Sequence, residues 1–284
     1  MKFDHAVVLG TGTLPLSCAL LLEDAGLPST IYDMDEKPSG LLARRAQAEN
    51  ISCQAIPRKQ LFQELASVQV PVLVVSAINP CILPEKLLAN PMITAINCHQ
   101  ALLPRHPGRN AEMWALYEGD EKTGITWHML TNQVDGGDIL IQKEMAITPN
   151  HTSYLIFKEQ IDLAKEGFRE LVPDLLNGTL KPEPQKYTEN RVLHYSKDTP
   201  NNGFLDPHWD AQKISAFLRA MDYSILQVVP KPRISIKGTN FIWKKYKICR
   251  EKRFPEGIFV ADSSIFIQKT EFLFELCKYQ KEDI

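Results

Sequence analysis

The sequence lacks several features that would assign it to a specialised class of protein. It has no run of 18 apolar residues, so we expect no membrane-spanning segment. Its 32 basic residues nearly balance its 34 acidic residues, and a net charge of −2 provides no overall field that attracts nucleic acid. It also lacks internal repeats and low-complexity tracts. What is present, 284 residues of which 44% are hydrophobic, predicts a globular protein with a sizeable core.

The six cysteines are scattered along the chain, and none belongs to a Cys-x-x-Cys motif. We therefore expect reduced thiols and a cytoplasmic protein. The first residues include Asp4 and lead directly into an apolar stretch. Because this pattern differs from that of a signal peptide, we expect none.

Short apolar segments alternate with segments of helical periodicity through the first part of the chain. The apolar segments Ala6–Gly10, Ser29–Tyr32, Val70–Ser76 and Met92–Ile96 are typical of buried strands. Alternating strands and helices indicate an α/β fold with a Rossmann-like, doubly wound and mostly parallel sheet. We predict that residues 1–180 form this domain, with a site at the carboxyl ends of its strands.

The pattern changes in the last third of the chain. Residues 181–205 are rich in proline and asparagine, which is typical of a linker. Residues 206–284 open with a helical segment, Ala211–Asp222, and continue as short apolar segments separated by turn residues. These short segments predict a small C-terminal β-rich domain, either a barrel or a sandwich.

Asn97 and His99 follow the predicted strand Met92–Ile96 and stand two residues apart. Side chains at this spacing on a strand point the same way, so an amide and an imidazole can together face a developing oxyanion. Cys98 should point to the opposite face, where we expect a structural role. Further along, Asp135 lies in an Asp-Gly-Gly turn. A carboxylate brought near His99 would favour the imidazolium form and orient the ring.

Other acids and histidines compete for these roles. Asp138 follows Asp135 by three residues and is interpreted as a solvated or strand-capping residue. His106 and His128 could join His99 as metal ligands, but spacings of seven and 29 residues match no compact ligand motif, and we predict no metal site. His128 could lie near Asp135 or be a packed strand residue.

A Gly-x-Gly pattern follows the first predicted strand. Gly10 and Gly12 are followed by Asp33 at about the distance expected for a ribose-binding acid. The third position of the dinucleotide fingerprint is Pro15, whose ring would hinder the close helix–strand packing that glycine allows. The pattern favours a structural turn, and a dinucleotide-binding oxidoreductase remains an alternative.

The residues around Asn97, His99 and Asp135 resemble a known family, the folate-dependent formyltransferases. This family includes methionyl-tRNA, glycinamide ribonucleotide and sugar-amine N-formyltransferases. The positions that follow its pattern in order are Asn97, His99, Leu102, Leu103, Pro104, Gly108, Thr123, Gly124, Asp135 and Gly137. One departure is Ala101, where most members have serine.

The resemblance implies an N-formyltransferase with 10-formyltetrahydrofolate as co-substrate. It implies that Asn97, protonated His99 and Asp135 are catalytic: the first two donate to the formyl oxygen, and Asp135 keeps His99 charged and takes a proton from the amine. It also implies an OB-like C-terminal domain. The residues expected to form the folate pocket are Ile82, Leu83, Pro84, Leu103, Val134, Gly136 and Asp138.

The acceptor stays open at this point. We favour a primary amine of a small biosynthetic compound, either an amino sugar, free or nucleotide-linked, or an amino-acid-derived amine. Nine basic residues between Lys231 and Arg253, against one acid, suggest an anionic partner such as tRNA, a nucleotide sugar or a carrier protein. Methionyl-tRNA formyltransferase is therefore an alternative, which the negative net charge and the lack of a long basic insertion disfavour. A formyltetrahydrofolate hydrolase, in which water replaces the amine, is another.

Overall fold

A computed structural model describes residues 2–35, 40–186 and 192–282. The chain divides into two compact units. The first comprises Met1–Gly108, Gly124–Met145 and Glu159–Leu193, and the second comprises Arg109–Thr123, Ala146–Lys158 and His194–Ile284. The domain limits drawn from the sequence stay a prediction, and residues 187–191 of the predicted linker lie outside the described residues.

Seven strands form a central sheet in the order β3-β2-β1-β4-β5-β6-β7. Strands β1 to β5 pair in parallel, and β6 is antiparallel to β5. The predicted Rossmann-like, mostly parallel sheet is therefore confirmed. The strands are β1 (His5–Gly10), β2 (Ser29–Asp33), β3 (Ser52–Gln54), β4 (Val72–Ala77), β5 (Ile93–His99), β6 (Lys122–Met129) and β7 (Ile139–Ala146).

The sequence pattern missed one of the helices, α5. This helix buries residues all round, including Ala111, Glu112 and Leu116, so it has no polar stripe that would show helical periodicity. The helices are α1 (Leu14–Asp24), α2 (Leu41–Ala48), α3 (Arg58–Ala66), α4 (Glu85–Leu88), α5 (Ala111–Glu118), α6 (Ser153–Asn177) and α7 (Ala211–Ala220), and a short 3-10 helix covers Pro200–Gly203. Among the described residues, none of the helices is both long enough and apolar enough to span a bilayer.

Alternate residues of the central strands pack on opposite faces of the sheet. Val8 and Cys98 belong to the core that includes α1 and α6, whereas Leu9 and Ala95 belong to the core that includes α3 and α4. The predicted structural placement of Cys98, away from its two polar neighbours on β5, is therefore confirmed.

Strand β5 is longer than the sequence predicted and runs through His99. The extension arises because β6 pairs with the end of β5, so that Asn97 lies opposite His128 and His99 lies opposite Thr126. The polar residues are thus part of the sheet, which fixes their direction more firmly than a loop would.

The C-terminal residues are rich in strands, as predicted. They form two four-stranded sheets, in the orders β15-β10-β9-β8 and β11-β14-β13-β12. These sheets occupy the part of the chain for which the family resemblance implied an OB-like domain. The strands are β8 (Phe204–Leu205), β9 (Arg233–Ile236), β10 (Thr239–Ile242), β11 (Lys245–Arg250), β12 (Gly257–Val260), β13 (Ser264–Lys269), β14 (Phe272–Cys277) and β15 (Gln280–Lys281).

Acidic side chains partly neutralise the basic run from Lys231 to Arg253. Arg233 contacts Glu282 at 3.1 Å, Lys247 contacts Glu275 at 2.9 Å, and Arg250 contacts Glu271 at 2.9 Å. These acids come from later in the chain, so counting only the charged residues between Lys231 and Arg253 overstates the positive charge of this surface. The run is a weaker site for an anionic partner than its sequence indicates.

Candidate active site

Strands β5 and β6 and the loop after β6 bring the predicted polar residues together within the first unit. His99 Nδ1 lies 3.4 Å from Asp135 Oδ2, and both side chains are largely buried. Asn97, two residues before His99 on β5, is half-buried. His128 connects them, because its Nε2 lies 3.1 Å from Asn97 Nδ2 and 3.6 Å from Asp135 Oδ1. His128 therefore belongs to the site and is more than a packed strand residue.

A chain of hydrogen bonds fixes the orientation of Asn97. The Ser76 hydroxyl donates to Asn97 Oδ1 at 2.6 Å, which leaves the amide nitrogen as a donor. This nitrogen lies 3.1 Å from His128 Nε2, which must accept, and His128 Nδ1 then donates to the Met129 carbonyl at 2.9 Å. An amide nitrogen carries two hydrogens, so a second N–H on the half-exposed Asn97 side chain remains for an incoming oxygen.

Asp135 is held as an anion. Its backbone adopts a left-handed φ of 48°, and the Gly108 N–H donates to its Oδ2 at 2.7 Å. Burial alone would raise the pKa of this carboxyl, but the attraction of protonated His99 and the hydrogen bond from the Gly108 N–H hold its pKa well below the ordinary value. The site therefore contains a fixed negative charge at neutral pH.

His99 differs from the expectation that Asp135 would keep it charged. Burial lowers the pKa of His99 below its ordinary value, and the raising effects of Asp135 and of the His106 carbonyl do not reverse the shift. The ring therefore favours the neutral form, with its hydrogen on Nε2, which donates to the His106 carbonyl at 2.8 Å. Nδ1 is then free to accept a proton beside the Asp135 carboxylate.

The Asp135→Asn variant should lower the pKa of His99 further. The substitution removes the largest influence that raises this pKa and leaves burial, which lowers it. As pH falls, His99 should therefore take up its proton at lower pH in the variant than in the original protein. Histidine ring signals followed by NMR during a pH titration would measure this, with His99→Asn to assign the resonance. A rise in the His99 pKa would contradict the arrangement.

A buried hydroxyl organises the loop that follows β5. Thr126 Oγ1 donates to the Ala101 carbonyl at 2.7 Å and accepts from the Leu103 N–H at 3.1 Å. Gln142 Nε2 donates to the same hydroxyl at 2.8 Å and to the Leu103 carbonyl at 2.9 Å. Ala101 itself is 1% exposed, so its methyl group occupies a packed position. Sequence patterns alone singled out neither Thr126 nor Gln142.

The residues predicted for the folate pocket fall into two segments that lie near each other. Asn132, in the loop that carries Asp135, donates to Glu85 at 3.2 Å, just after the Ile82–Pro84 segment. Ile82 is 75% exposed, whereas Leu83 and Leu103 are buried. In the Asp135 loop, the Gly136 N–H donates to the Gln133 carbonyl. The pocket remains a prediction, and Ile82 is an exposed apolar side chain within it.

Two main-chain groups near the predicted pocket are already bonded within the protein. The Asp138 carbonyl accepts from the Met129 N–H at 2.9 Å, and the Gly136 N–H bond to Gln133 measures 3.1 Å. Folate recognition by this loop would therefore need groups besides the Gly136 N–H.

The Gly-x-Gly pattern has a structural explanation. A Cβ at Gly10 would lie 1.8 Å from the Ala77 carbonyl oxygen and 2.8 Å from the Pro15 ring, so glycine lets β1 lie against β4. Gly12 has a φ of 75°, a left-handed conformation that favours glycine. Both glycines are thus needed by the fold, which supports the structural interpretation of the pattern.

Residues 34–172 match the model of the formyl transferase family. The chain is 26% identical over 167 residues to GDP-perosamine N-formyltransferase of Brucella melitensis, covering 59% of this chain and 63% of that protein. It is 31% identical over 195 residues to methionyl-tRNA formyltransferase of Ligilactobacillus salivarius, covering 69% of this chain and 58% of that protein. The chain thus spans about three fifths of the length of these relatives.

The fold also resembles a solved structure along nearly its whole length. The N-formyltransferase from Helicobacter canadensis, in complex with folinic acid and dTDP-3-aminofucose, superposes with a TM-score of 0.72. The match covers 99% of this chain and 100% of that chain, at 15% sequence identity. At this identity the likeness concerns the fold.

Proposed function

Because this chain belongs to the formyl transferase family through its residues 34–172, we propose that it transfers a formyl group from 10-formyltetrahydrofolate to the primary amine of an amino sugar. The observation that carries the proposal is the site of Asn97, His99 and Asp135. An amide with an available N–H stands beside a buried imidazole–carboxylate pair. Acyl transfer to an amine needs these two functions, a donor for an oxyanion and an acceptor for a proton.

Each residue has a distinct task in this proposal. Bound 10-formyltetrahydrofolate supplies an activated formyl group. The Asn97 N–H stabilises negative charge on the formyl oxygen. Neutral His99 accepts a proton that the attacking amine loses, and the Asp135 carboxylate stabilises the imidazolium that results. His99 can then return this proton to the folate nitrogen as the bond between that nitrogen and the formyl carbon breaks. This assignment replaces the sequence-based one, in which His99 was protonated from the start, because burial lowers its pKa.

The residues present are suited to a folate. Ile82 offers an exposed apolar side chain, and the loop that carries Asp135 is connected to the same region by the Asn132–Glu85 hydrogen bond. We propose that this pair of segments holds the folate ring, so that the formyl group meets Asn97 and His99.

Amino sugars are supported as acceptors by several relatives. One relative is named for GDP-perosamine, and the Helicobacter protein, which resembles this chain along its whole length, was solved with dTDP-3-aminofucose. Initiator tRNA remains the second candidate because several relatives are methionyl-tRNA formyltransferases. The partly neutralised run from Lys231 to Arg253 favours the sugar, because tRNA binding needs many basic side chains that are available to contact phosphates.

The test is an acceptor screen. Purified protein is incubated with 10-formyltetrahydrofolate and, separately, GDP- and dTDP-linked amino sugars, amino-acid-derived amines, methionyl-tRNA or no amine, and products are identified by mass spectrometry. We expect formylation of a nucleotide-linked amino sugar, absent in the His99→Asn variant, with a shallow dependence on salt.

Other outcomes would assign a different function. Faster formylation of methionyl-tRNA than of every small amine, with affinity falling about 10³-fold or more between about 50 and 200 mM salt, would identify the tRNA enzyme. Formate release without an amine would identify a hydrolase. Binding of NAD without binding of folate, measured by calorimetry, would refute formyl transfer.

A further inference from the structure

A buried glutamine from the predicted linker contacts the loop that carries Asp135. Gln185 is 8% exposed, and its Nε2 donates to the Asp135 carbonyl at 2.9 Å and to the Gly137 carbonyl at 2.7 Å. Both acceptors are carbonyl oxygens, so the amide nitrogen must face them. The main chain adds two bonds nearby, because Glu183 and Ile139 each donate to the other's carbonyl at 2.8 Å.

These bonds act on an unusual piece of backbone. Asp135 has a left-handed φ of 48°, a conformation that is uncommon for residues other than glycine. The two Gln185 bonds fall on either side of Gly136 and therefore restrain the main chain on both sides of the turn. The direction of the Asp135 carboxylate depends on this conformation.

Two other contacts of the turn cannot do the same. The Gly136 N–H bond to Gln133 lies within the loop and would move with it. The Gly108 N–H bonds the carboxylate itself, not the main chain that carries it. Gln185 anchors the loop from a segment 50 residues away in sequence.

We propose that Gln185 is a positioning residue that holds the Asp135 carboxylate against His99. The expected effect of Gln185 on catalysis rests on the proposed function, in which Asp135 acts in formyl transfer. Gln185 itself touches neither substrate nor reacting group, and it acts through the backbone of Asp135. Its loss should therefore reproduce part of what the loss of the Asp135 charge does.

The test replaces Gln185 with leucine, which keeps the size and removes both donors, and with glutamate, which keeps the shape and replaces the donating nitrogen by oxygen. Both variants should lower kcat by about 10- to 100-fold, because displacement of a catalytic group by about 1 Å can cost this much. In Gln185→Leu, which adds no charge, the NMR-measured pKa of His99 should also fall toward its value in Asp135→Asn. The matched control is Gln268→Leu, since buried Gln268 donates to the carbonyls of Glu251, Thr270 and Phe272 in the second unit. It should lower stability and leave kcat and the His99 pKa unchanged.

A double-mutant cycle separates positioning from general destabilisation. In the Asp135→Asn background, Gln185→Leu should change neither the His99 pKa nor the residual rate. The proposal is overturned if Gln185→Leu leaves the His99 pKa of the folded protein at its original value, or if its effect on rate adds fully to that of Asp135→Asn. The titration needs no substrate. If Gln185→Leu lowers the His99 pKa as expected but the protein formylates no amine, the positioning role is supported and the proposed function is refuted.

Discussion

Replacement of Asp135 by asparagine should lower the rate of formyl transfer by about 10²-fold or more, because proton transfer and charge stabilisation each contribute at this scale. The substitution is nearly isosteric, and the amide oxygen can still accept from the Gly108 N–H that now bonds Oδ2 at 2.7 Å. What disappears is the negative charge 3.4 Å from His99 Nδ1. Without it, an imidazolium formed in the buried site has no counter-charge there. Steady-state kinetics with the acceptor found in the screen would measure the loss.

Two control variants, Cys98→Ala and Asp138→Asn, test whether the loss is specific to Asp135. Cys98→Ala alters the residue between Asn97 and His99, but Cys98 packs in the core on the other face of the sheet, so turnover should change little. A loss equal to that of Asp135→Asn would require a thiol mechanism. Asp138→Asn tests the neighbouring acid, and a larger loss there than at Asp135 would show that the carboxylate has been assigned to the wrong residue.

The fold was predictable where one sequence pattern dominated. Strands β1 and β4 are buried on both faces and appear in the sequence as continuous apolar runs between turn residues. Helix α5 was not predictable in this way, since it buries residues on nearly all sides. Strand β11 was hidden because its alternation of lysine with Tyr246 and Ile248 was interpreted as a run of charge.

The site shows the same division between local and distant information. The common direction of Asn97 and His99 follows from strand alternation and needs no knowledge of the fold. The inclusion of His128 depends on the antiparallel register that sets it opposite Asn97, and no local pattern contains that register. Gln185 was assigned to a linker for the same reason, because its acceptors lie 50 and 48 residues earlier in the chain.

The charge of His99 depends on burial as well as on its neighbours. From the sequence, a nearby carboxylate predicts an imidazolium. In the structure His99 is 7% exposed, and the cost of burying a charge outweighs the attraction of Asp135. The change of role, from permanent cation to proton acceptor, follows from that balance.

Substitution of Gly137 by alanine should abolish most activity and lower the free energy of unfolding by about 1–3 kcal/mol. A Cβ at this position would lie 1.8 Å from the Met129 carbonyl oxygen. That oxygen is a backbone atom at the end of β6, and Met129 also donates its N–H to the Asp138 carbonyl at 2.9 Å, so the strand and the loop cannot separate without breaking this bond. The loop must therefore shift, and Asp135 and the Gln185 acceptor at Gly137 would shift with it.

Gly167→Ala is the matched control for this prediction. Gly167 lies in α6, where an added Cβ would meet its nearest atoms, side-chain carbons of Ile125 and Trp127, at 3.4 Å, an ordinary contact distance. Because alanine favours a helix over glycine by about 1 kcal/mol, this variant should be as stable as the original or slightly more so. Thermal unfolding and turnover of the two variants would be measured together. Full activity and an unchanged melting temperature for Gly137→Ala would show that the loop tolerates a shift. The close approach of Gly137 to Met129 would then not be what holds Asp135 beside His99.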